Sequence, residues 1–227
     1  MSLARKHFQK TMAAAQAATD QDSPVRANAN QYELMQAQLH AHKLELKSIQ
    51  SITNKCQKKA EFLPLYTPYI EGVLESGNGQ PDIVLMMVML WSIDAGNYTT
   101  ALNIAAYALK NNLSMPDAHQ RSTACVIAEE IADAALKTDP SHPVSLLQLV
   151  AAYQLLADAD YPDQVKAKLE KAMGLTYQEN NQPETALKHL KSALLLNERS
   201  GVKSTIKSLE KQLKETPAKP NTEATPS

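Results

Sequence analysis

The sequence predicts an all-α protein, and three observations carry that reading. Glycine is scarce, six in 227 residues, and the Val/Ile/Thr alternation of a half-buried strand is almost absent, while Ala, Leu, Gln, Lys and Glu dominate. Residues 81–110 read as two helices joined by a glycine turn. Between Tyr32 and Cys56 apolar side chains recur at alternating steps of three and four. The expected order is an N-terminal helical hairpin with a coiled-coil-like seam, then stacked helical hairpins, then a disordered C-terminal tail. The expected divisions are a basic N-terminal segment, 1–60, an all-α body, 61–213, and a tail, 214–227.

Residues 2–19 read as a short alanine-rich helix with Arg5, Lys6 and Lys10 near its start, where cations oppose the helix dipole. Ser23-Pro24 breaks it, because the residue before proline is disfavoured in the α region. A second helix is expected from Tyr32 to about Lys59. Its inward seam threads Tyr32, Met35, Leu39, His42, Leu46, Ile49, Thr53 and Cys56. His42 reads as a half-buried polar spacer in that seam. Lys43, Lys47, Lys55, Lys58 and Lys59 decorate the outside, either as phosphate contacts or as solubilising side chains.

Glu61–Ile70, with Pro64, Pro68, Phe62, Tyr66 and Tyr69, reads as a bent aromatic junction before a short helix, 70–75. Ser76–Gly79 is a turn; it lacks the GxxxxGK[ST] pattern and the preceding strand of a phosphate loop. Pro81 and Asp82 then open the central hairpin, since proline's missing N–H is an orphan donor there and the carboxylate faces the positive end of the helix. Ile83–Ile93 is almost wholly apolar, too short to span a bilayer and therefore a core helix. Gly96 supplies the turn, and Ala101, Leu102, Ala105, Ala108 and Leu109 line one face of the returning helix.

Ser122 or Thr123 caps a helix through Leu136, and Val144–Ala157 forms another. Asp158, Asp160 and Asp163 cluster around Tyr161-Pro162, as a divalent-cation site or as an ordinary helix start. Residues 165–196 look like a tetratricopeptide repeat: Leu169, Ala172, Gly174, Leu175 and Tyr177 on one helix, Ala186, Leu190, Ala193 and Leu194 on the next. The central hairpin resembles the same unit displaced by 85 residues, which implies a stacked, TPR-like body. Val202–Leu213 adds a last helix. Beyond it the composition has almost nothing to bury.

Charge is unevenly spread. Residues 1–60 carry +5 and the remainder −6, so an anionic partner is expected at the front or the lysines form a solvated helix surface. Cys56 and Cys125 lack CxxC spacing, and the start of the chain lacks a signal peptide's apolar core. A reducing cytoplasm and no membrane contact are the expectation. HExxH, GxSxG and paired Cys/His ligands are absent, so no metal site, no cofactor and no catalytic residue is assigned. The residues alone read as a helical interaction protein with a basic front end.

One further signal is a long ordered string. It runs through Leu63-Pro64, Pro68-Tyr69-Ile70, Gly72-Val73-Leu74-Glu75, Gly77, Gly79, Asp82-Ile83 and Val88-Met89-Leu90-Trp91. It continues through Asp94, Gly96, Ala101-Leu102, Ile104-Ala105, Tyr107-Ala108-Leu109, Leu113 and Met115-Pro116. This string resembles the small terminase subunit of tailed phages of the peduovirus type. The resemblance implies a subunit that recognises the cohesive-end packaging site of concatemeric double-stranded viral DNA. It further implies a large ATPase subunit as partner, a ring-like homo-oligomer, and the host bacterial cytoplasm, or that of a lysogen, as the setting. That family is traditionally labelled the terminase endonuclease subunit, while no nuclease or ATPase motif is visible in this chain.

Three functional readings follow. In the first, Arg5, Lys6, Lys10, Arg26, Lys43, Lys47, Lys55, Lys58 and Lys59 contact DNA phosphates and the body recruits the large subunit. In the second, carboxylates such as Asp158, Asp160 and Asp163 form an intrinsic metal-dependent endonuclease. In the third, the repeats are a scaffold for a protein partner alone.

Overall fold

A computed structural model describes residues 3–17, 29–116, 121–137 and 142–215. These residues form ten α-helices and no strand. They fall into two compact units divided between Tyr161 and Pro162. The first unit contains α1 (Leu3–Ala17), α2 (Ala29–Ser48), α3 (Ile52–Ser76), α4 (Ile83–Asp94), α5 (Tyr98–Lys110), α6 (Thr123–Leu136) and α7 (Leu146–Leu155). The second contains α8 (Asp163–Glu179), α9 (Pro183–Leu196) and α10 (Lys203–Glu215). The expected tail, 214–227, lies outside the described residues beyond Glu215.

The central helix α4 is the core of the first unit, as its composition demands. Val84, Leu85, Met86, Val88, Met89, Trp91 and Ile93 are all buried. Asp82 caps it by accepting from the Leu85 amide at 2.9 Å, and the Tyr69 hydroxyl donates to the same carboxylate at 2.5 Å. At the far end Gly96 takes φ +74°, and the Asn97 and Gly96 amides donate back to Ser92 and Ile93 carbonyls. This is the crossed hydrogen-bond pair of a Schellman turn. A Cβ at Gly96 would collide with the His142 side chain.

The hairpin of the second unit turns in the same way 85 residues later. Asn181 takes φ +57°, and the Gln182 and Asn181 amides donate to Tyr177 and Gln178 carbonyls. Pro183 sits at the start of α9, and Gly174 lets α8 and α9 approach so closely that a Cβ there would meet Leu190. Ala186, Leu190, Val202, Ile206 and Leu209 form one buried cluster under α9 and α10.

Two expectations for the front of the chain are corrected. The helix expected from Tyr32 to Lys59 is interrupted at 49–51, where Ser51 accepts from the Asn54 amide at 3.3 Å and caps a new helix. The seam holds as far as Leu46: Met35, Leu39 and Leu46 are buried, whereas Thr53, past the break, is exposed. It faces α3 and α4 of the same chain, where His42 stacks on Phe62 at 3.7 Å and the Ile83 amide donates to the Tyr32 hydroxyl at 3.4 Å.

The expected aromatic junction is instead the middle of α3, which runs through residue 60 and contains Pro64 and Pro68. Each interior proline removes one helix hydrogen bond and costs about 3 kcal/mol. Phe62, Leu63, Tyr66, Tyr69, Ile70 and Val73 recur at helical spacing and are all buried. At about 2 kcal/mol each, their burial outweighs both prolines. The Thr67 hydroxyl donates to the Leu63 carbonyl at 3.3 Å within this stretch.

Candidate nucleic-acid interface

The nine cations picked out at the front of the chain divide into three groups. Arg26 lies outside the described residues, and of Arg5 only the backbone, in α1, is described. Lys10, Lys58 and Lys59 are engaged by carboxylates of their own chain. Lys10 Nζ lies 2.7 Å from Glu75 and 3.8 Å from Glu71, joining α1 to α3. Lys58 bridges Glu45 on α2 and Glu61 on α3, at 3.0 Å each. Lys59 meets Asp94 at the end of α4 at 2.6 Å. The hydrogen bonds to Glu75, and to Glu45 and Glu61, hold the Lys10 and Lys58 ammonium groups above their ordinary pKa.

The third group is uncommitted. Lys6, Lys43 and Lys47 are exposed and Lys55 is half-buried. None of the four has an ion-pair partner among the described residues. Lys43 and Lys47 are one helical turn apart on α2, so they share a face.

Beneath the engaged lysines lies a small aromatic cluster. The His42 ring is parallel to Phe62, with Nδ1 2.8 Å from the Tyr66 hydroxyl, and Trp91 closes the group. Lys58 Nζ stands over the Phe62 ring, 5.2 Å from its centre. Burial pushes His42 below its ordinary pKa, against the pull of Glu45 and with the help of Lys58. Burial likewise pushes the Tyr66 phenol far up. His42 is therefore a neutral packing residue, the polar spacer expected from the sequence, with its partners now identified.

The other candidate chemistry is not gathered into a site. Among the described residues no group of three or more His, Cys, Asp or Glu side chains is placed to hold a metal ion. Asp158 and Asp160 line a groove of the first unit together with Arg121, Asn112 and Ser122, and Asp163 opens α8 in the second. The Gly79 amide is taken by the Tyr107 hydroxyl at 3.0 Å, so the glycine turn holds a side chain of its own fold. No described helix is long and apolar enough to cross a membrane.

One basic element escaped the sequence reading. Residues 61–227 sum to −6 and so read as an acidic body, but 61–161 hold three basic against twelve acidic side chains, while 162–215 hold ten against seven. On α10 the side chains of Lys203, Lys207, Lys211 and Lys214 are all exposed. Their steps of four, four and three were visible in the sequence, hidden by summing across the boundary at 161.

Comparison with known proteins places these features in a family. The family description "Phage small terminase subunit" matches residues 36–164. The chain is 41% identical over 217 residues to a protein named "Terminase, endonuclease subunit" from Escherichia phage P2, covering 95% of this chain and 87% of that one. It is 24% identical over 112 residues to a "Probable terminase, endonuclease subunit" from Haemophilus phage HP1, covering 49% and 40% of the two chains. No solved structure matches. The match spans α2 to α7 and the first residues of α8, including the capped core helix and its glycine turn, and the chain belongs to the phage small terminase subunit family.

Proposed function

We propose that this chain binds duplex viral DNA at its cohesive-end packaging site through the uncommitted front cations. It then presents that DNA to a large, ATPase-bearing terminase subunit, working as a ring-like homo-oligomer in the cytoplasm of the host bacterium. Family membership supports the packaging role. The observation that carries DNA contact is that Lys6, Lys43, Lys47 and Lys55 hold no carboxylate among the described residues, so each is available to a phosphate. The front segment, 1–60, supplies the contact, and the body, 61–213, oligomerises and docks the large subunit. Its two hairpins with the same turn, 85 residues apart, favour a TPR-like arrangement.

Lys10, Lys58 and Lys59 leave the phosphate set, because breaking their pairs would expose carboxylates to the same DNA. We assign them to joining α1, α2, α3 and α4. Cutting is assigned to the complex with the large subunit, where the carboxylates a two-metal site needs can be supplied.

Fluorescence anisotropy with a labelled duplex carrying the cohesive-end site tests the reading. The variant K43E/K47E/K55E should bind roughly ten-fold or more weakly and show a salt dependence shallower by about three contacts. Binding equal to that of the parent at every salt concentration would remove DNA contact from the front segment. Incubating the pure chain with the same duplex and magnesium tests the division of labour; cleavage by this chain alone would overturn it.

A further inference from the structure

We propose that α10 carries a second contact for the phosphate backbone of duplex DNA, formed by Lys203, Lys207 and Lys214 with Lys211 between them. This rests on the reading of the chain as a DNA-binding subunit and locates a contact that the front-segment cations do not supply.

The inner face of α10 fixes the stripe. Ile206 and Leu209 are buried against Leu190 and Ala186, so the opposite side of the helix must face solvent. At 100° per residue the four lysines lie within an arc of about 80°, and the run from Lys203 to Lys214 is about 16 Å long. The nearest acid, Glu210, lies about 20° outside that arc and is held by Lys191 of α9 at 2.6 Å, with Lys214 adding a weaker pull on its carboxylate. Lys211 approaches Glu215 at 3.8 Å with both side chains largely exposed, a pairing that solvent and salt weaken. Lys203 and Lys207 have no ion-pair partner among the described residues, and Lys214 makes no pair within 4.0 Å, acting on Glu210 only at longer range.

The shape of the stripe selects the ligand. It is a straight row of cations at intervals of about one helical turn on a convex helix surface, which follows a line of regularly spaced phosphates. It is not a pocket that would enclose one phosphate. The α10 sequence contains no aromatic residue on which an unpaired base could stack, so a duplex fits better than a single strand. Lysines on phosphates carry no sequence information, so this contact adds affinity and salt dependence, with recognition of the packaging site made elsewhere.

The test uses the full-length chain and the same labelled duplex in an anisotropy titration across salt. K203E/K207E/K214E should bind roughly ten-fold or more weakly, with a salt slope smaller by about three contacts. K203R/K207R/K214R, which keeps the charge, should bind like the parent, and circular dichroism should show unchanged helicity in both. If the parent and K43E/K47E/K55E differ while K203E/K207E/K214E matches the parent, the α10 contact is refuted and the front-segment reading stands. If the α10 variant alone is weakened, the α10 contact stands and the front assignment falls. A parent that binds no duplex refutes both. Unchanged DNA binding with lost co-purification of the large subunit would make the stripe a protein-docking surface and overturn the proposal.

Discussion

At the scale of single residues, the chain separates charges that look alike in sequence. Lys58 and Lys59 are neighbours, yet they close on partners in different helices, and the Asp94 that holds Lys59 lies 35 residues away. Spacing along one helix shows which side chains share a face, but which carboxylate waits opposite is set by tertiary packing. Lys59→Ala should therefore lower stability by about 0.5–1 kcal/mol, read as a shift in urea midpoint, with little direct effect on DNA binding. His42 shows the same limit: its place on the inner face of α2 was legible, its stacking on Phe62 and its bond to Tyr66 were not. Its folded pKa is held below the ordinary 6.5, so the unfolded chain takes up a proton first. The neutral ring contributes stability above pH 6.5 that is lost as pH falls through the lower folded value. Burial holds the Glu130 carboxyl above its usual range and works in the opposite sense. The difference in urea midpoint between the parent and His42→Gln cancels that background, and it should shrink steadily from about pH 7.5 to about pH 5.5.

At the scale of elements, the sequence was most legible where one strong local signal met one buried face. Helix α4 and its turn were readable because Pro81-Asp82, an apolar run and Gly96 agree. Helix α3 was not, because Pro64 and Pro68 argue locally against a helix that burial of Phe62, Tyr66 and Tyr69 nevertheless stabilises. Pro64 is exposed, so Pro64→Ala restores an amide donor without disturbing the core. It should raise stability by about 1–3 kcal/mol, visible as a higher melting temperature. The paired Schellman turns give a second measurable consequence. Asn181→Gly should be neutral or stabilising, Asn181→Ala should cost about 1 kcal/mol, and Gly96→Ala should cost more because His142 blocks the added carbon.

At the scale of the whole molecule, a net charge of −1 conceals alternation: a front segment at +5, a middle in which twelve acids oppose three bases, and a rear in which ten bases oppose seven acids. The basic front was legible from composition. The basic rear was not, because the unit boundary that separates it from the acidic middle is a property of the fold. The two proposed contacts together comprise seven lysines, four at the front and three on α10, none of them in an ion pair within 4.0 Å among the described residues. If all seven engage one duplex, the logarithm of the binding constant should fall with the logarithm of salt at a slope of about −6. A slope of about −3 would mean that the two sets do not act on the same stretch of DNA.

The proline pair in α3 also decides where that helix is weakest. With no amide at positions 64 and 68, the carbonyls of Ala60 and Pro64 lack the donors an unbroken ladder would bring them, and both gaps fall just behind Lys55, Lys58 and Lys59. If the front segment holds DNA as proposed, load on it would pass to this joint once the Lys58 and Lys59 pairs to α2 and α4 had given way. The first half of α3 would then yield before the tyrosines behind it let go of the core.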